Sequence, residues 1–241
     1  MDRSAYASMS AQEEGHWWFV ARRAILDSLI ARRIAPRPGA RILEAGCGTG
    51  GNLAMLAAYG SVDALEYDDG ARRLATARGI ARIEPGMLPG RIGFGEARYD
   101  LIALLDVLEH VDADRDALDA LRARLAPGGR ILLTVPAAPW LWSDHDVLHH
   151  HKRRYTLGSL TGVAQAAGLK IEAAGYFNSL LFPLAVAARM AHRLFGRKGG
   201  SDAQPSRPIN GWLRRIFATE RHLLGRVRFP AGLSLYAILS A

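Results

Sequence analysis

The stretch WSDHDVLHHHKRRY at residues 142–155 concentrates side chains that could do chemistry. It holds four histidines and two aspartates ahead of a basic tail. Histidine, with an ordinary pKa of about 6.5, can act as a general base near neutral pH, and imidazole and carboxylate groups also bind zinc or magnesium. A third interpretation is the polar rim of a pocket whose chemistry is carried elsewhere in the chain. The composition of the stretch leaves all three interpretations open.

Ligand spacing disfavours a metal among these interpretations. The stretch contains no cysteine, its histidines match no closed zinc pattern, and neighbouring residues of one loop seldom all point at one ion. We therefore expect no metal here. The predicted catalytic residues are His145, Asp146 and His151, because an aspartate beside a histidine can fix its tautomer and orientation. His149 and His150 are expected to be partly solvated loop residues.

A second stretch with chemical character is ARILEAGCGTGGN at residues 40–52. Its apolar start predicts a short buried strand, and the glycines that follow predict a turn into a helix, where a ligand can approach the backbone closely. The glycine spacing also satisfies the dinucleotide fingerprint, which is a weak match by itself. Glu44 would repel a pyrophosphate and attract an ammonium group. A cofactor with an amino-acid end and no phosphate therefore fits this loop better than NAD.

Strand and helix patterns alternate beyond the glycine loop. The predicted elements are strands at 61–66, 80–84, 99–106, 127–136 and 169–178, helices at 69–78 and 113–125, and a last antiparallel strand in 229–241. This alternation is typical of a doubly wound sheet, whose ligands bind at the carboxyl ends of the strands. Glu66 ends the second strand, where a carboxylate can bind both hydroxyls of a ribose. Residues 127–129, PGG, are expected to form the turn that ends the second helix.

Four motifs in this order resemble class I S-adenosylmethionine-dependent methyltransferases. They are EAGCGTG, LEYDD, YDLIALLDVLEHV and LAPGGRILLTVP, and the resemblance covers residues 40–137. It implies a Rossmann-like methyltransferase fold of the α/β class, with a doubly wound, mixed seven-stranded sheet and a helical insertion before the last strand. It also implies S-adenosylmethionine as the cofactor and S-adenosylhomocysteine as the product.

The same resemblance implies the cofactor contacts. The residues around the methionine end and the ribose would be Glu44, Gly46, Cys47, Gly48, Gly50 and Asp106. Glu66 would hold the ribose hydroxyls, with Tyr67 beside the adenine. Many family members carry an acidic residue that binds the adenine amino group, but the matching position here is Met87. Met87 and Leu88 are therefore predicted to hold the adenine by apolar contact.

The flanking motifs are similar to a bacterial subgroup of these enzymes, many of which are associated with glycan and lipid-linked sugar assembly. The motifs are HWWF at 16–19, HD at 145–146 and HKRRY at 151–155. In the subgroup HD and HKRRY recur together, which places Arg154 and Tyr155 in the acceptor pocket, and arginine suits an anionic acceptor. His16 and Trp17 are also predicted to contact the acceptor. Two other roles are open for the aromatic residues of HWWF. They could pack the first helix against the core, or they could cover the cofactor pocket.

A single domain is expected, with four parts. These are an N-terminal helical cap at 1–39, a cofactor-binding core at 40–178, a helical insertion at 179–228 and the last strand at 229–241. The apolar run at 179–196 is too short and too charged to span a bilayer. Two roles remain open for it: a lid over the acceptor site, or a peripheral contact with lipid headgroups.

Composition sets further bounds. The chain has a net charge of +8, but its basic residues, such as Arg22, are scattered over predicted helices as solvated faces and no nucleic-acid motif accompanies them. The single cysteine excludes an internal disulfide and fits a reducing compartment. The N-terminal residues lack a secretory pattern. A cytoplasmic protein is expected, with the inner membrane face as an option and without a nucleic-acid partner.

Together these observations predict an S-adenosylmethionine-dependent methyltransferase. Oxygen of a small-molecule or lipid-linked, glycan-type acceptor is the favoured target, because the histidine-rich stretch can supply a base. Two alternatives remain. One is a non-catalytic scaffold or regulatory protein that binds the cofactor, and the other is a nucleic-acid methyltransferase. The latter is disfavoured because DVLEH follows the fourth strand in place of an N-P-P-Y-like tetrapeptide.

Overall fold

The protein is built around a seven-stranded sheet. The computed structural model describes residues 10–195 and 205–241, apart from the side chains at 145 and 192–195. The strand order is β3-β2-β1-β4-β5-β7-β6. The strands are β1 (Ala40–Ala45), β2 (Gly60–Glu66), β3 (Arg82–Pro85), β4 (Tyr99–Leu105), β5 (Leu125–Pro136), β6 (Lys170–Phe177) and β7 (Ser234–Ser240). Only β7 runs antiparallel to its neighbours in this sheet, so the predicted mixed, doubly wound arrangement is confirmed.

Helices cover both faces of the sheet. They are α1 (Trp17–Leu29), α2 (Leu53–Ala57), α3 (Asp69–Ala77), α4 (Asp114–Arg122), α5 (Asp144–Leu148), α6 (Leu157–Ala166), α7 (Phe182–Phe195) and α8 (Arg207–Leu223). One core cluster joins the sheet to α1, α2 and α8 through residues such as Ile25, Leu53 and Phe217. The other joins it to α4 and α6 through residues such as Leu118 and Leu160. Parallel strands covered on both sides are apolar on both, as the burial of β1 and β4 shows.

The start of β5 differs from the prediction. Residues 127–129 were expected to form a turn, but they lie within β5, which begins at Leu125. The pairing with β4 shifts register between Tyr99 and Leu101, as at a β-bulge. A Cβ atom at Gly129 would lie 2.6 Å from the carbonyl oxygen of Tyr99, so only glycine fits against the neighbouring strand. The preceding helix therefore ends earlier than predicted, at Arg122.

The insertion between β6 and β7 consists of α7 and α8. The ring of Trp17 in α1 lies edge-on to Phe217 in α8, with the ring centroids 5.9 Å apart. The buried carboxylate of Glu220 accepts hydrogen bonds of 2.7–2.8 Å from the backbone N–H groups of residues 178–180. These contacts make α8 part of the core layer beside α1. Within the ranges described, no helix combines the length and the apolar character needed to cross a bilayer.

Candidate active site

The glycine loop follows the carboxyl end of β1, as predicted. Gly46, Gly48 and Gly50 have φ angles of 83°, 54° and 84°. Residues that carry a Cβ atom rarely adopt such positive φ angles. A Cβ atom at Gly46 would also lie 2.7 Å from Cγ2 of Val107. Val107 belongs to the turn after β4, so the loop and that turn are in direct contact. Substitution at position 46 would push the two apart.

The carboxylate of Glu44 is buried at the end of β1. Its Oε1 atom accepts a hydrogen bond of 2.9 Å from Asn52 Nδ2, whereas Oε2 has no hydrogen-bond partner among the described residues. Burial raises the pKa of Glu44 to about 8. A buried carboxylate oxygen without a partner is costly, and an ammonium group of a ligand would supply one. Cys47 beside it is also buried, and burial raises the pKa of its thiol.

The predicted ribose and adenine contacts lie at the ends of β2 and β3. Glu66 accepts hydrogen bonds from the backbone N–H groups of Gly48 (2.8 Å) and Asp68 (2.9 Å). Each carboxylate oxygen has a second acceptor position, so Glu66 can still bind hydroxyl groups. Tyr67 and Met87 are 73% and 53% exposed, but Leu88 is buried in the core. That burial favours a packing role for Leu88 rather than the predicted adenine contact.

Asp106 directly follows β4 and has a left-handed backbone conformation, with a φ of 58°. Its Oδ2 atom forms an ion pair of 2.6 Å with Arg22 of α1, and its Oδ1 accepts a hydrogen bond of 3.1 Å from Thr134. The guanidinium of Arg22 lies over the ring of Trp18, 5.2 Å from its centroid. The prediction that Arg22 lies on a solvated face is wrong, because the residue is 4% exposed. Its charge instead offsets that of the strand-end carboxylate.

The segment before α1 closes over the glycine loop. Glu13 is buried, and its carboxylate accepts hydrogen bonds from Thr49 of the loop and from Arg78. A Cβ atom at Gly51 would lie 2.6 Å from the Glu13 carboxyl carbon, so the glycine makes room for this side chain. These contacts of Glu13 hold the N-terminal segment against the glycine loop. Sequence reasoning missed it, because a single glutamate in a polar segment forms no recognisable pattern.

In the histidine-rich stretch, Asp146 is fully buried at the centre of a polar network. It accepts hydrogen bonds from Arg154 Nε (2.7 Å), from the backbone N–H of Ser143 (2.8 Å) and from His151 Nδ1 (2.9 Å). Burial alone would raise the pKa of Asp146, but the hydrogen bonds from His151 and Arg154 outweigh it and hold the pKa well below its usual range. An ionised carboxylate only accepts hydrogen bonds, so His151 carries its hydrogen on Nδ1.

Arg154 and Tyr155 do not support the predicted contact with an acceptor. Arg154 is buried, and its guanidinium donates hydrogen bonds to Asp146 and, over 3.0 Å, to the carbonyl oxygen of Ala137. Tyr155 is also buried, and its hydroxyl donates a 2.9 Å hydrogen bond to Asp114. Both side chains thus hold the segment after α5 against the sheet. A basic side chain in a polar stretch gave no sign of this internal pairing.

The remaining predicted acceptor residues lie at the start of α1 and in α5. His16 is the N-cap of α1, and its Nδ1 accepts a 3.3 Å hydrogen bond from the N–H of Trp18. The backbone N–H of Trp17 donates to Asn210 Oδ1 (2.8 Å), and its ring packs on α8. These contacts favour the alternative in which the aromatic cluster staples α1 to the core. The side chain of His145 lies outside the described residues, and its catalytic role stays a prediction.

The fold brings together three residues that the sequence did not combine. Glu109 and His110 lie in the 3₁₀ turn Leu108–His110 after β4, and His151 follows α5. One metal-ligating atom of each lies within 4.8 Å of those of the other two, and the two histidine rings are 4.9 Å apart. Burial chiefly raises the pKa of Glu109 and lowers that of His110 to about 4. The available signal was an acidic residue and a histidine directly after a strand end.

Comparison with known proteins identifies the family. A model of the methyltransferase domain family matches residues 18–174. A demethylmenaquinone methyltransferase of Clavibacter sepedonicus is 33% identical over 126 residues, which are 48% of this chain and 50% of that protein. The mitochondrial ubiquinone biosynthesis O-methyltransferase of Schizosaccharomyces pombe is 30% identical over 106 residues, covering 40% and 38% of the two chains. The chain thus spans about half the length of these curated relatives, or less.

Solved structures share the fold at low identity. An S-adenosylmethionine-dependent methyltransferase from Mesorhizobium loti superimposes with a TM-score of 0.60 and 17% identity, over 95% of this chain and 99% of that one. This similarity confirms the predicted Rossmann-like methyltransferase fold. The family match covers more than half of the chain and includes the glycine loop and His151. The chain therefore belongs to the methyltransferase domain family.

Proposed function

We propose that the protein transfers the methyl group of S-adenosylmethionine to an oxygen atom of a small-molecule or lipid-linked acceptor. The observation that carries this proposal is the cluster of Glu109, His110 and His151, two of which lie in the turn whose Val107 contacts the glycine loop. A hydroxyl acceptor must lose its proton during transfer, whereas many other acceptors need alignment alone. One buried carboxylate and two partly buried imidazole groups supply the chemistry for that proton.

In this proposal the cofactor lies along the carboxyl ends of the strands. Its ammonium group pairs with the buried carboxylate of Glu44, and its ribose hydroxyls bind Glu66. The exposed side chains of Tyr67 and Met87 lie at the adenine. Asp106 lies beside the methionine end. The sulfonium methyl then faces the turn after β4, since Val107 of that turn contacts the glycine loop.

Methyl transfer from a sulfonium is an in-line displacement by the acceptor oxygen. The new bond joins that oxygen to the methyl carbon, and the broken carbon–sulfur bond leaves its electron pair on sulfur. Because the sulfonium is already activated, alignment supplies much of the rate, and removal of the hydroxyl proton supplies the rest.

The predicted catalytic residues take different parts in this scheme. His151 points a ring nitrogen into the cluster, because its Nδ1 donates to Asp146. Asp146 is fully buried, so it acts as a positioning residue that does not touch the acceptor. The deprotonation is therefore assigned to the cluster of Glu109, His110 and His151.

Exposed apolar residues after β5 and β6, at the same edge of the sheet as the turn after β4, support an apolar or lipid-linked acceptor. The exposed ring of Trp140 lies 6.2 Å from that of Phe182 at the start of α7. Leu180 and Leu184 are also exposed, by 41% and 55%. Two curated relatives are named for quinones, and the HWWF and HKRRY motifs favour the subgroup associated with lipid-linked glycans. In the proposal α7 covers the acceptor, and the protein is cytoplasmic with peripheral contact at the inner membrane face.

Labelled methyl donor tests the proposal directly. Purified protein is incubated with the donor and a cell extract that has been separated into lipid, small-molecule and nucleic-acid fractions. We expect label in the lipid or small-molecule fraction, with S-adenosylhomocysteine formed in equal amount. The Glu44→Gln variant serves as a control that should lose this activity. Label in the nucleic-acid fraction would support the second enzyme class, and no S-adenosylhomocysteine with any fraction would indicate a scaffold.

A further inference from the structure

We infer that Glu109, His110 and His151 bind a divalent transition-metal ion, which activates the acceptor hydroxyl. The activating role rests on the proposed function, whereas the metal site rests on geometry alone. The three ligating atoms lie within 4.8 Å of one another and come from two separate elements. A cation with bonds of about 2.0–2.2 Å to each would draw them together by small side-chain rotations.

The buried carboxylate of Glu109 indicates a cation independently of these distances. The residue is 1% exposed, and its Oε2 atom has no hydrogen-bond partner within 10–195 and 205–241. Burying such an atom without a partner is unfavourable, and more so when it is charged. A cation at this oxygen would supply the missing interaction. A backbone hydrogen bond also holds the turn that carries Glu109 beside the segment that carries His151. The N–H of Lys152 donates it to the carbonyl oxygen of Glu109 over 2.7 Å.

A hydrogen bond orients His151 for coordination by its other ring nitrogen. His151 donates from Nδ1 to Asp146, which Arg154 holds in place from the opposite side, so Nε2 is the coordinating nitrogen. A carboxylate behind a histidine is the usual support of a metal-bound imidazole. The ring of His110 lies beside that of His151, with the ring centroids 4.9 Å apart.

The donor set selects the class of cation. Two imidazole nitrogens and one carboxylate oxygen form the arrangement that binds catalytic zinc with a position left open for water or substrate. Manganese and ferrous iron accept the same mixture, whereas magnesium and calcium prefer oxygen ligands. The open position is the place for the acceptor oxygen. The cation lowers the pKa of the bound hydroxyl, its proton passes to solvent, and the oxygen then attacks the methyl carbon.

The prediction of no metal considered the histidine-rich stretch by itself. That stretch supplies one of the three ligands, His151, together with its supporting Asp146. The other two come from the turn after β4. Because the ligands are separated by about forty residues in the chain, spacing patterns could not combine them.

Direct metal binding tests the site without any methyl acceptor. The protein is stripped with a chelator, dialysed, and titrated with Zn²⁺, Mn²⁺ and Mg²⁺ by calorimetry. We expect about one Zn²⁺ or Mn²⁺ per chain and weaker heat with Mg²⁺. Glu109→Gln and His110→Ala should each weaken binding by about 100-fold or more, and Asp146→Asn, which changes the support of His151, by about 10- to 100-fold.

Matched measurements separate the site from general effects. His222→Ala removes an exposed imidazole of α8 and should leave metal binding unchanged. Binding of S-adenosylhomocysteine to each variant confirms that the fold persists. If the stripped protein binds none of the cations, or if the Glu109 and His110 variants that still bind S-adenosylhomocysteine keep wild-type metal affinity, the inference is wrong.

Activity distinguishes this inference from the proposed function. Loss of methyl transfer on chelation, with recovery on adding Zn²⁺ or Mn²⁺, would support both. Metal binding in a protein that methylates no fraction would retain the site and contradict the proposed function. Methyl transfer that is unaffected by stripping would retain the function and overturn the activating role of the cation.

Discussion

In the proposed site, the buried carboxylate of Glu44 is expected to couple cofactor binding to pH. Its raised pKa of about 8 means that the free protein holds a proton on this group at pH 7. Pairing with the cofactor's ammonium group favours the ionised form, so binding must release that proton. We expect release of roughly one proton per cofactor at pH 7, and an affinity that rises by up to about tenfold per pH unit between about pH 6 and pH 8.

Calorimetry in buffers of different ionisation enthalpy measures this release. The observed heat should vary with the buffer at pH 7 and become independent of it above about pH 9. The Glu44→Gln variant should bind weakly and show no dependence on the buffer. A wild-type heat that is the same in all buffers at pH 7 would contradict the role of Glu44.

The sequence predicted some site residues and not others for a physical reason. Glu44 and Glu66 stand at strand ends beside glycines, where the parallel-sheet topology itself directs ligands. Arg22, Glu13 and Glu109 gain their roles from partners distant in the chain. Local spacing contains no information about such pairs.

At the scale of elements, the segment before α1 is expected to stabilise the glycine loop. Glu13→Gln removes the charge that pairs with Arg78 and weakens the contact with Thr49. Loss of a buried charged hydrogen bond costs about 1–3 kcal/mol. Amide hydrogen exchange should therefore accelerate about tenfold or more in residues 10–16 and 46–53.

The neighbouring glutamate offers a matched control for this experiment. Glu14 is 86% exposed at its side chain and lies 3.9 Å from Arg78. Because exposed ion pairs contribute little, Glu14→Gln should leave exchange in the loop unchanged. Equal acceleration in both variants, or in neither, would show that Glu13 does not fasten the loop.

The elements themselves were predicted best where burial is symmetrical. The apolar runs of β1 and β4 are covered on both faces, so composition and turn residues mark them clearly. The start of β5 was misplaced because the glycines at 128 and 129 serve a bulge instead of a turn. The short helix α5 inside the histidine-rich stretch was also missed. It is too short to show helical periodicity.

At the scale of the whole molecule, the cofactor should stabilise the fold. A ligand at about 100 times its Kd adds about 2.7 kcal/mol, and each kcal/mol raises the Tm of a domain of this size by about 2–4 °C. We expect S-adenosylhomocysteine to raise the Tm by roughly 5–10 °C. NAD should give no rise at pH 8, since the carboxylate of Glu44 repels its pyrophosphate.

Thermal unfolding monitored by circular dichroism checks this expectation. Glu44→Gln provides the comparison, because it leaves the glycine loop in place and removes the charge that selects between the two ligands. A rise with NAD that matches the rise with S-adenosylhomocysteine would mean that the loop binds phosphates, and the assignment of the amino-acid end to Glu44 would be wrong.

The packing of α8 against α1 has a consequence for synthesis on the ribosome. Trp17 is synthesised long before its partner Phe217. The nascent chain can pair its parallel strands before then, yet it cannot seat α1. Arg22 and Glu13, which lie on or next to that helix, reach Asp106 and the glycine loop only after it docks. The candidate site is therefore expected to be complete only after α8 has been synthesised.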